Sequence, residues 1–292
     1  MASRSRQPVI FGEVLFDCFP DGRKVLGGAP FNVAWHLQAF GKDPLFISAV
    51  GDDAEGRLIL EKMADWGMDT SGVQVTEQFP TGAVEITLEQ GEPSYDIVDN
   101  QAYDHIDIEG IPEIEGSALL YHGSLALRHD TSREALESLA QRSGLPRFVD
   151  INLRTPWWRH DHALQLMRQA DWLKLNEHEL VELTGPEASP GERARQLVND
   201  YGLNALILTR GSAGAEYIAG DTYSVAPKGG NQVVDTVGAG DAFTSVMLTG
   251  LLQDWDIDTC LQRAQTFASA VVGVRGATID DRQFYSRIMD TW

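Results

Sequence analysis

The stretch VVDTVGAGDAF, from Val233 to Phe243, decides the reading of this chain. A short apolar, strand-like run enters the small-residue turn Gly238-Ala239-Gly240. The carboxylate of Asp241 follows at once, and a helix-compatible stretch continues to Leu252. The two glycines let backbone N–H groups converge without side-chain obstruction, and the first turn of a helix adds its own unpaired donors. Such a turn binds anions, phosphate above all. An acid at the mouth of an anion hole is costly unless it has a task. The natural task is to take a proton from a hydroxyl that attacks the bound phosphate. Capping of the helix by Asp241 is the plainer alternative.

Two other phosphate motifs are excluded. Gly41-Lys42 is followed by Asp43 and no GxxxxGK[ST] occurs, so there is no P-loop. The GxG at Gly238–Gly240 lacks a third glycine and lies far from the first strand, which rules out a dinucleotide fingerprint.

The 292 residues are 43% hydrophobic, enough for one large α/β domain with an appendage. No apolar run approaches the ~20 residues of a membrane span. The start, Met1 to Gln7, carries arginines and serines but no signal-type hydrophobic region, so a cytoplasmic location is expected. Cys18 and Cys260 cannot make a disulfide framework, in keeping with a reducing compartment, and Cys18 reads as a small packing residue. With 43 acidic residues against 23 basic ones, five of them lysine, the net charge is −20. That argues against nucleic acid or an anionic membrane as partner. An anionic substrate must then be held by local devices: helix termini, a few arginines and a divalent ion.

Working outward, Val9 to Phe16 reads as a strand. Phe31 to Phe40 reads as a helix with Pro30 at its start. Leu45 to Val50 reads as a buried strand, followed by a helix over Ala54 to Trp66. From Thr81 to Asp107 the pattern alternates by twos, with a turn at Gln90-Gly91-Glu92-Pro93, which predicts an inserted hairpin. It is either a small lid sheet or an ordinary edge hairpin. Strands at Ala118–His122, Arg147–Ile151, Trp172–Leu175 and Ala205–Thr209 restore a βα rhythm, the last leading through Gly211 and Gly214 into a second hairpin. This order predicts a mostly parallel sheet flanked by helices, with ligands at the carboxyl ends of its strands. Polar groups follow six strand ends: Glu13 and Asp17, Gly28 and Asn32, Asp150, Asn152 and Arg154, Asn176 and Glu179, Thr209, Arg210 and Gly211, and Asp241.

These residues resemble the ribokinase-like (PfkB) sugar kinases over essentially the whole chain. GGAPFNVAWHLQAFG (Gly27 to Gly41) is similar to the family's first signature and DTVGAGDAF (Asp235 to Phe243) to its second. LKLNEHEL (Leu173 to Leu180) resembles the NxxE element and LTRGSAG (Leu208 to Gly214) the nucleotide-side turn. GEVLFD, YDIVDNQAYDHI, GSLALR and DINLRTPWW look most like bacterial fructokinases. Val246 departs from the second signature, which usually has Gly or Ala there.

The resemblance implies a single α/β kinase domain over residues 1–292, with β-lid segments near 13–27 and 81–107. It also implies ATP-dependent phosphorylation of a sugar hydroxyl, fructose first. A kinase for 2-keto-3-deoxygluconate, ribose or a nucleoside is the alternative, and a silent sugar- or nucleotide-binding regulator is another. In this picture Asp241 is the general base, and the N–H groups of Gly238, Ala239 and Gly240 hold the charge on the transferring phosphoryl group. Asn176 and Glu179 organise Mg²⁺, Glu179 through water, although a helix-capping pair explains the same two residues. Asp17, Gly28, Asn32, Tyr95 and Arg154 contact the sugar, with Gln101 as a further lid residue. Thr209, Gly211 and Gly214 border the nucleotide, and the helix Ala264–Val272 lies along the adenine. Asp235, with main-chain groups near Val237 and Gly276, marks a site for a monovalent cation such as K⁺. Monomer and homodimer are both compatible with this reading.

His160-Asp161-His162 carries no metal expectation, because histidines two apart at a helix start face different ways. Trp157 and Trp158 read as packing anchors. No serine–histidine–acid order points to acyl transfer.

Overall fold

The structure, a computed structural model, describes residues 6–89, 92–227 and 233–292. It begins with β1 (Gln7–Phe11), β2 (Leu15–Cys18), β3 (Lys24–Gly27), α1 (Ala29–Ala39), β4 (Leu45–Gly51), α2 (Ala54–Trp66) and β5 (Val73–Thr76). Next come β6 (Gly82–Glu89), β7 (Glu92–Ile97), β8 (Ser117–His122), α3 (Asp130–Ser143), β9 (Arg147–Asp150), α4 (His160–Arg168) and β10 (Trp172–Asn176). The remainder is α5 (Glu177–Thr184), α6 (Pro190–Tyr201), β11 (Ala205–Thr209), β12 (Ala215–Ile218), β13 (Thr222–Val225), α7 (Ala239–Leu252), α8 (Ile257–Val271) and α9 (Arg282–Met289).

Nine strands form the main sheet in the order β13-β12-β11-β10-β9-β8-β1-β4-β5, and all pair in parallel except at the β11–β12–β13 end. Its central strands are buried on both faces, as helix-covered parallel sheets are, and the edge strands β5 and β13 are partly exposed. Ile10, Phe46 and Val50 point to the layer of α1, α2, α7, α8 and α9, and Val9, Phe11, Leu45 and Ile47 to that of α3–α6. A separate four-stranded sheet, β3-β2-β6-β7, has its own small core of Leu15, Val84, Ile86, Tyr103, Leu125 and Ala126.

Local chemistry explains several boundaries. The Asp53 carboxylate caps α2 by accepting from the Gly56 amide at 2.7 Å and also accepts from the Thr81 amide at 2.8 Å. Gly67, at φ 83°, ends that helix in the left-handed conformation. No described helix is long and apolar enough to cross a membrane.

Two expectations need correction. The run Val9–Phe16 is two strands in two different sheets, because the chain breaks at Gly12 (φ 152°). A Cβ there would run into the Pro30 ring, so only glycine lets strand and helix come this close. Val233 and Val234 are not a strand. Both are exposed, and the Val234 and Asp235 amides donate to the Val272 carbonyl at 2.9 and 3.1 Å. The hairpin turn at Gln90–Gly91 lies outside the described residues.

Candidate active site

The carboxyl ends of β9, β10 and β11, the start of α7 and the underside of the smaller sheet enclose a cleft of about 670 Å³. Asp17, Gly28, Asn32, Tyr95, Arg154, Asn176, Glu179, Thr209, Gly238, Gly240 and Asp241 all line it. Polar groups from five strand ends and from the start of α7 therefore converge.

Asp241 lies in the first turn of α7, whose N-cap is Gly238 at φ 77°, and no side chain caps that helix. The capping alternative is not what forms. Instead Asp241 Oδ2 accepts a hydrogen bond from Asn32 Nδ2 at 2.7 Å, from the other end of the sequence. Burial pushes the Asp241 carboxyl up to about 6, and nearby Asp150 adds to the rise, while the Asn32 bond, Lys174 and Arg154 pull it down. The first amide of this turn bonded along the helix is that of Ala242, which donates to the Gly238 carbonyl at 2.8 Å. Of the amides before it, that of Ala239 makes a long bond to the Thr236 carbonyl at 3.4 Å, and the others are donors of the kind a helix start leaves open. A Cβ on Gly238 would run into Ala277, so the turn is built on glycine. Ala239 itself does not line the cleft.

Asn176 and Glu179 form a reciprocal capping box on α5. The Glu179 amide donates to Asn176 Oδ1 at 2.9 Å and the Asn176 amide to Glu179 Oε2 at 2.8 Å. The Leu153 amide reaches Glu179 Oε1 at 3.2 Å. Burial raises the pKa of this carboxyl, and the amide bonds and Lys174 oppose the rise. Each oxygen accepts one of these bonds and keeps a further lone pair, and Glu179 lines the cleft, so the donor set fits a water-held Mg²⁺.

Lys174, which the sequence reading passed over, lies on the cleft wall. Its ammonium bonds both Asp150 oxygens at 2.8 Å and lies 3.7 Å from where a Gly240 Cβ would stand. Thr244 Oγ1 donates to the same Asp150 at 3.0 Å, locking the pair to α7. Only a lysine at an otherwise apolar strand position, LKL, hinted at this. Glu13, buried at 3% exposure, also lines the cleft.

Some expected residues lie elsewhere. Gly211 is exposed, and Gly214 is a buried turn residue packed on β13; neither reaches the cleft. Asp235 sits outside it, with Oδ1 accepting from the Val237 amide at 3.0 Å and Oδ2 from the Gly276 amide at 3.1 Å. Gln101 is buried in a 3₁₀ turn, its amide side chain tied to the Asp99 carbonyl at 2.8 Å. Ala264 of α8 is fully buried, and α8 does not line the cleft. Trp157 does anchor: its indole donates to the Ile97 carbonyl at 3.1 Å, and Arg128 stacks over its ring at 4.4 Å. Among the described residues, His160 and His162 join no cluster of metal-type ligands.

A buried base, free amides and acceptor-rich walls can activate a hydroxyl against a phosphate. Comparison with known proteins agrees. Residues 17–283 match the model of the pfkB family carbohydrate kinases. Fructokinase-1 of Oryza sativa subsp. japonica is 31% identical over 278 residues, 87% of this chain and 85% of the relative. A fructokinase from Xylella fastidiosa solved with bound ATP superposes with a TM-score of 0.88, at 21% identity over 98% of this chain and 99% of that one. A fructokinase double mutant from Vibrio cholerae O395, solved with fructose, ADP and potassium, gives 0.83 at 24% identity over 97% and 99%. The matched length of chain leads to one conclusion: this protein belongs to the PfkB family of carbohydrate kinases.

Proposed function

We propose that the protein transfers the γ-phosphoryl group of ATP to a hydroxyl of fructose. The observation that carries this reading is the Asp241 carboxylate, raised to about 6 and aimed by Asn32 beside the free amides of α7. A base near the working pH is ionised, yet basic enough to take a proton as the alcohol oxygen attacks.

Each residue then has a task. Asn32 holds Asp241 in one orientation. The amides of Gly238 and Gly240 face the charge that develops on the transferring group; lost donors of this kind cost ~3–4 kcal/mol in other enzymes. Asp17, Gly28 and Arg154 line the sugar end, with Tyr95 on the smaller sheet above it. Thr209 borders the nucleotide end. Asn176 and Glu179 would hold Mg²⁺ through its waters, and the bound ion would neutralise triphosphate charge. Asp235 and the main chain around Val237 and Gly276 form our candidate for a K⁺ site. The smaller sheet, residues 13–27 and 81–107, serves as a lid that keeps water from competing as acceptor. We expect a cytoplasmic enzyme, active as monomer or homodimer, with sugar and ATP as its only substrates.

The test is a sugar panel in a coupled ADP assay. Fructose should give the highest kcat/KM. No ADP above background with fructose would defeat that assignment, and a response to 2-keto-3-deoxygluconate, ribose or a nucleoside instead would reassign the substrate.

A further inference from the structure

Arg154 lines the cleft with its guanidinium unattached: among the described residues no ion pair and no side-chain hydrogen bond holds it. Its charge nevertheless reaches three acids of the same cleft. Burial raises the carboxyls of Glu13, Asp17 and Asp241, and Arg154 pulls each of them back down. What fixes Arg154 is its backbone, in the turn at residues 154–158 that follows β9. The amides of Trp157 and Trp158 donate to the Arg154 carbonyl at 2.7 and 3.1 Å and close that turn.

Trp157 is itself pinned from two sides. Its indole N–H donates to the Ile97 carbonyl, the last residue of β7, at 3.1 Å, and the Arg128 guanidinium lies over its ring at 4.4 Å. Arg128 stands just before α3, with its side chain 2% exposed. Its Nε and Nη2 donate to the two oxygens of Asp104, each at 2.7 Å. Nη2 also reaches the Val98 carbonyl at 2.6 Å and the Tyr103 hydroxyl at 3.1 Å. A two-pronged guanidinium–carboxylate pair of this kind has one good geometry, and water does not compete for it here. Three segments thus meet on one side chain: the end of β7, whose Tyr95 and Ile97 line the cleft, the 3₁₀ turn Ala102–His105, and the turn that carries Arg154. Arg128 itself does not line the cleft.

We propose that Arg128 is a positioning residue for sugar binding: through Trp157 it fixes the turn that presents Arg154, and through the Val98 carbonyl it fixes the end of β7, so that two walls of the sugar end keep one spacing. This assignment rests on the sugar-kinase reading and goes past it, to a side chain that never meets the substrate. Binding groups act well only when their supports hold them within about 0.5 Å. Lysine cannot stand in for arginine at this point, because a point charge neither forks onto a carboxylate nor stacks flat on an indole.

The experiment compares wild type, Arg128→Lys, Arg154→Ala and the double variant. ADP release gives the KM values for fructose and ATP, and calorimetry gives the Kd for fructose. Arg128→Lys should raise the KM and Kd for fructose about tenfold and leave the KM for ATP unchanged. Beside Arg154→Ala the same change should add less, because the group it positions is gone. An unchanged fructose KM in an active Arg128→Lys variant overturns the proposal, and so does an unchanged fructose KM in Arg154→Ala. Full additivity of the two changes, or equal shifts in the KM values for fructose and ATP, would mark a merely structural role and overturn it as well. Should Arg128→Lys not fold, Trp157→Leu removes the ring and its N–H from the other side of the contact. It should raise the fructose KM and spare that for ATP, and an unchanged fructose KM again overturns the proposal. Fructose binding that weakens in Arg128→Lys, with no ADP from wild type, would defeat the kinase reading and leave Arg128 standing. No binding of fructose by wild type would defeat the proposal.

Discussion

Asn32 and Asp241 stand 209 positions apart in sequence and are joined by a 2.7 Å hydrogen bond across the floor of the cleft. One comes from the first turn of α1 and the other from the first turn of α7, so two helix starts meet head to head where the chemistry is expected.

Replacing Asp241 by Asn should therefore leave nucleotide binding intact and lower kcat by about 10²–10⁴, the usual range for a general base. Calorimetry with an ATP analogue and single-turnover kinetics check both halves. Near-normal turnover would remove the base assignment.

The same variant should be more stable than wild type. The Asp241 carboxyl has its pKa raised from 3.8 to about 6 by burial, so the folded chain holds this proton more tightly than the unfolded one. The native state is then penalised above pH 6, and the penalty fades as pH falls toward 4. Its ceiling is about 3 kcal/mol at 1.36 kcal/mol per unit. Denaturant melts at pH 7.5 should show Asp241→Asn gaining stability, and at pH 4 little difference. A loss at pH 7.5 contradicts the burial argument.

The pH profile of kcat/KM should rise with slope one through about pH 6. Because the Asn32 bond lowers the pKa of Asp241, Asn32→Ala should move that limb to higher pH. A limb that stays in place or moves down would separate Asn32 from Asp241.

Lys174→Met should cost about 3–5 kcal/mol, since it leaves Asp150 charged and buried. Tyr121 and Thr244 remain as its hydroxyl donors, at 3.4 and 3.0 Å. Adding Asp150→Asn should recover part of that loss in urea denaturation. Full additivity of the two changes would mean the pair is not coupled.

Much of this was readable in the residues. The helix Ala54–Trp66 was bounded by Asp53 and Gly67, two strong local signals, and the structure starts and stops it there. The Gly238–Asp241 turn was equally local. What escaped depended on distant partners. The break at Gly12 is imposed by Pro30, which no window around Gly12 contains. Val233 and Val234 have strand composition, but their amides go to the end of α8. The short strands β5 and β13 exist through their neighbours, β4 and β12, more than through any pattern of their own. Lys174 looked like an interruption of a buried strand, and only the adjacent Asp150 on β9 gives it meaning. Gly211 and Gly214 were placed beside the nucleotide by the resemblance of LTRGSAG to the nucleotide-side turn, yet in the antiparallel hairpin they do not line the cleft.

The smaller sheet is stitched to the body by very short joints. Three residues, Gly12 to Val14, separate β1 from β2, and the single residue Gly28 separates β3 from α1. A Cβ on Gly28 would come within 2.6 Å of the Glu13 carbonyl, so the two joints also touch. As the proposed lid, a sheet fastened along this edge by such joints would act like a door on a pair of adjacent pins, free to swing but with no slack to slide. The pins themselves carry cleft residues, so any swing of the door must tug on the wall that meets the sugar.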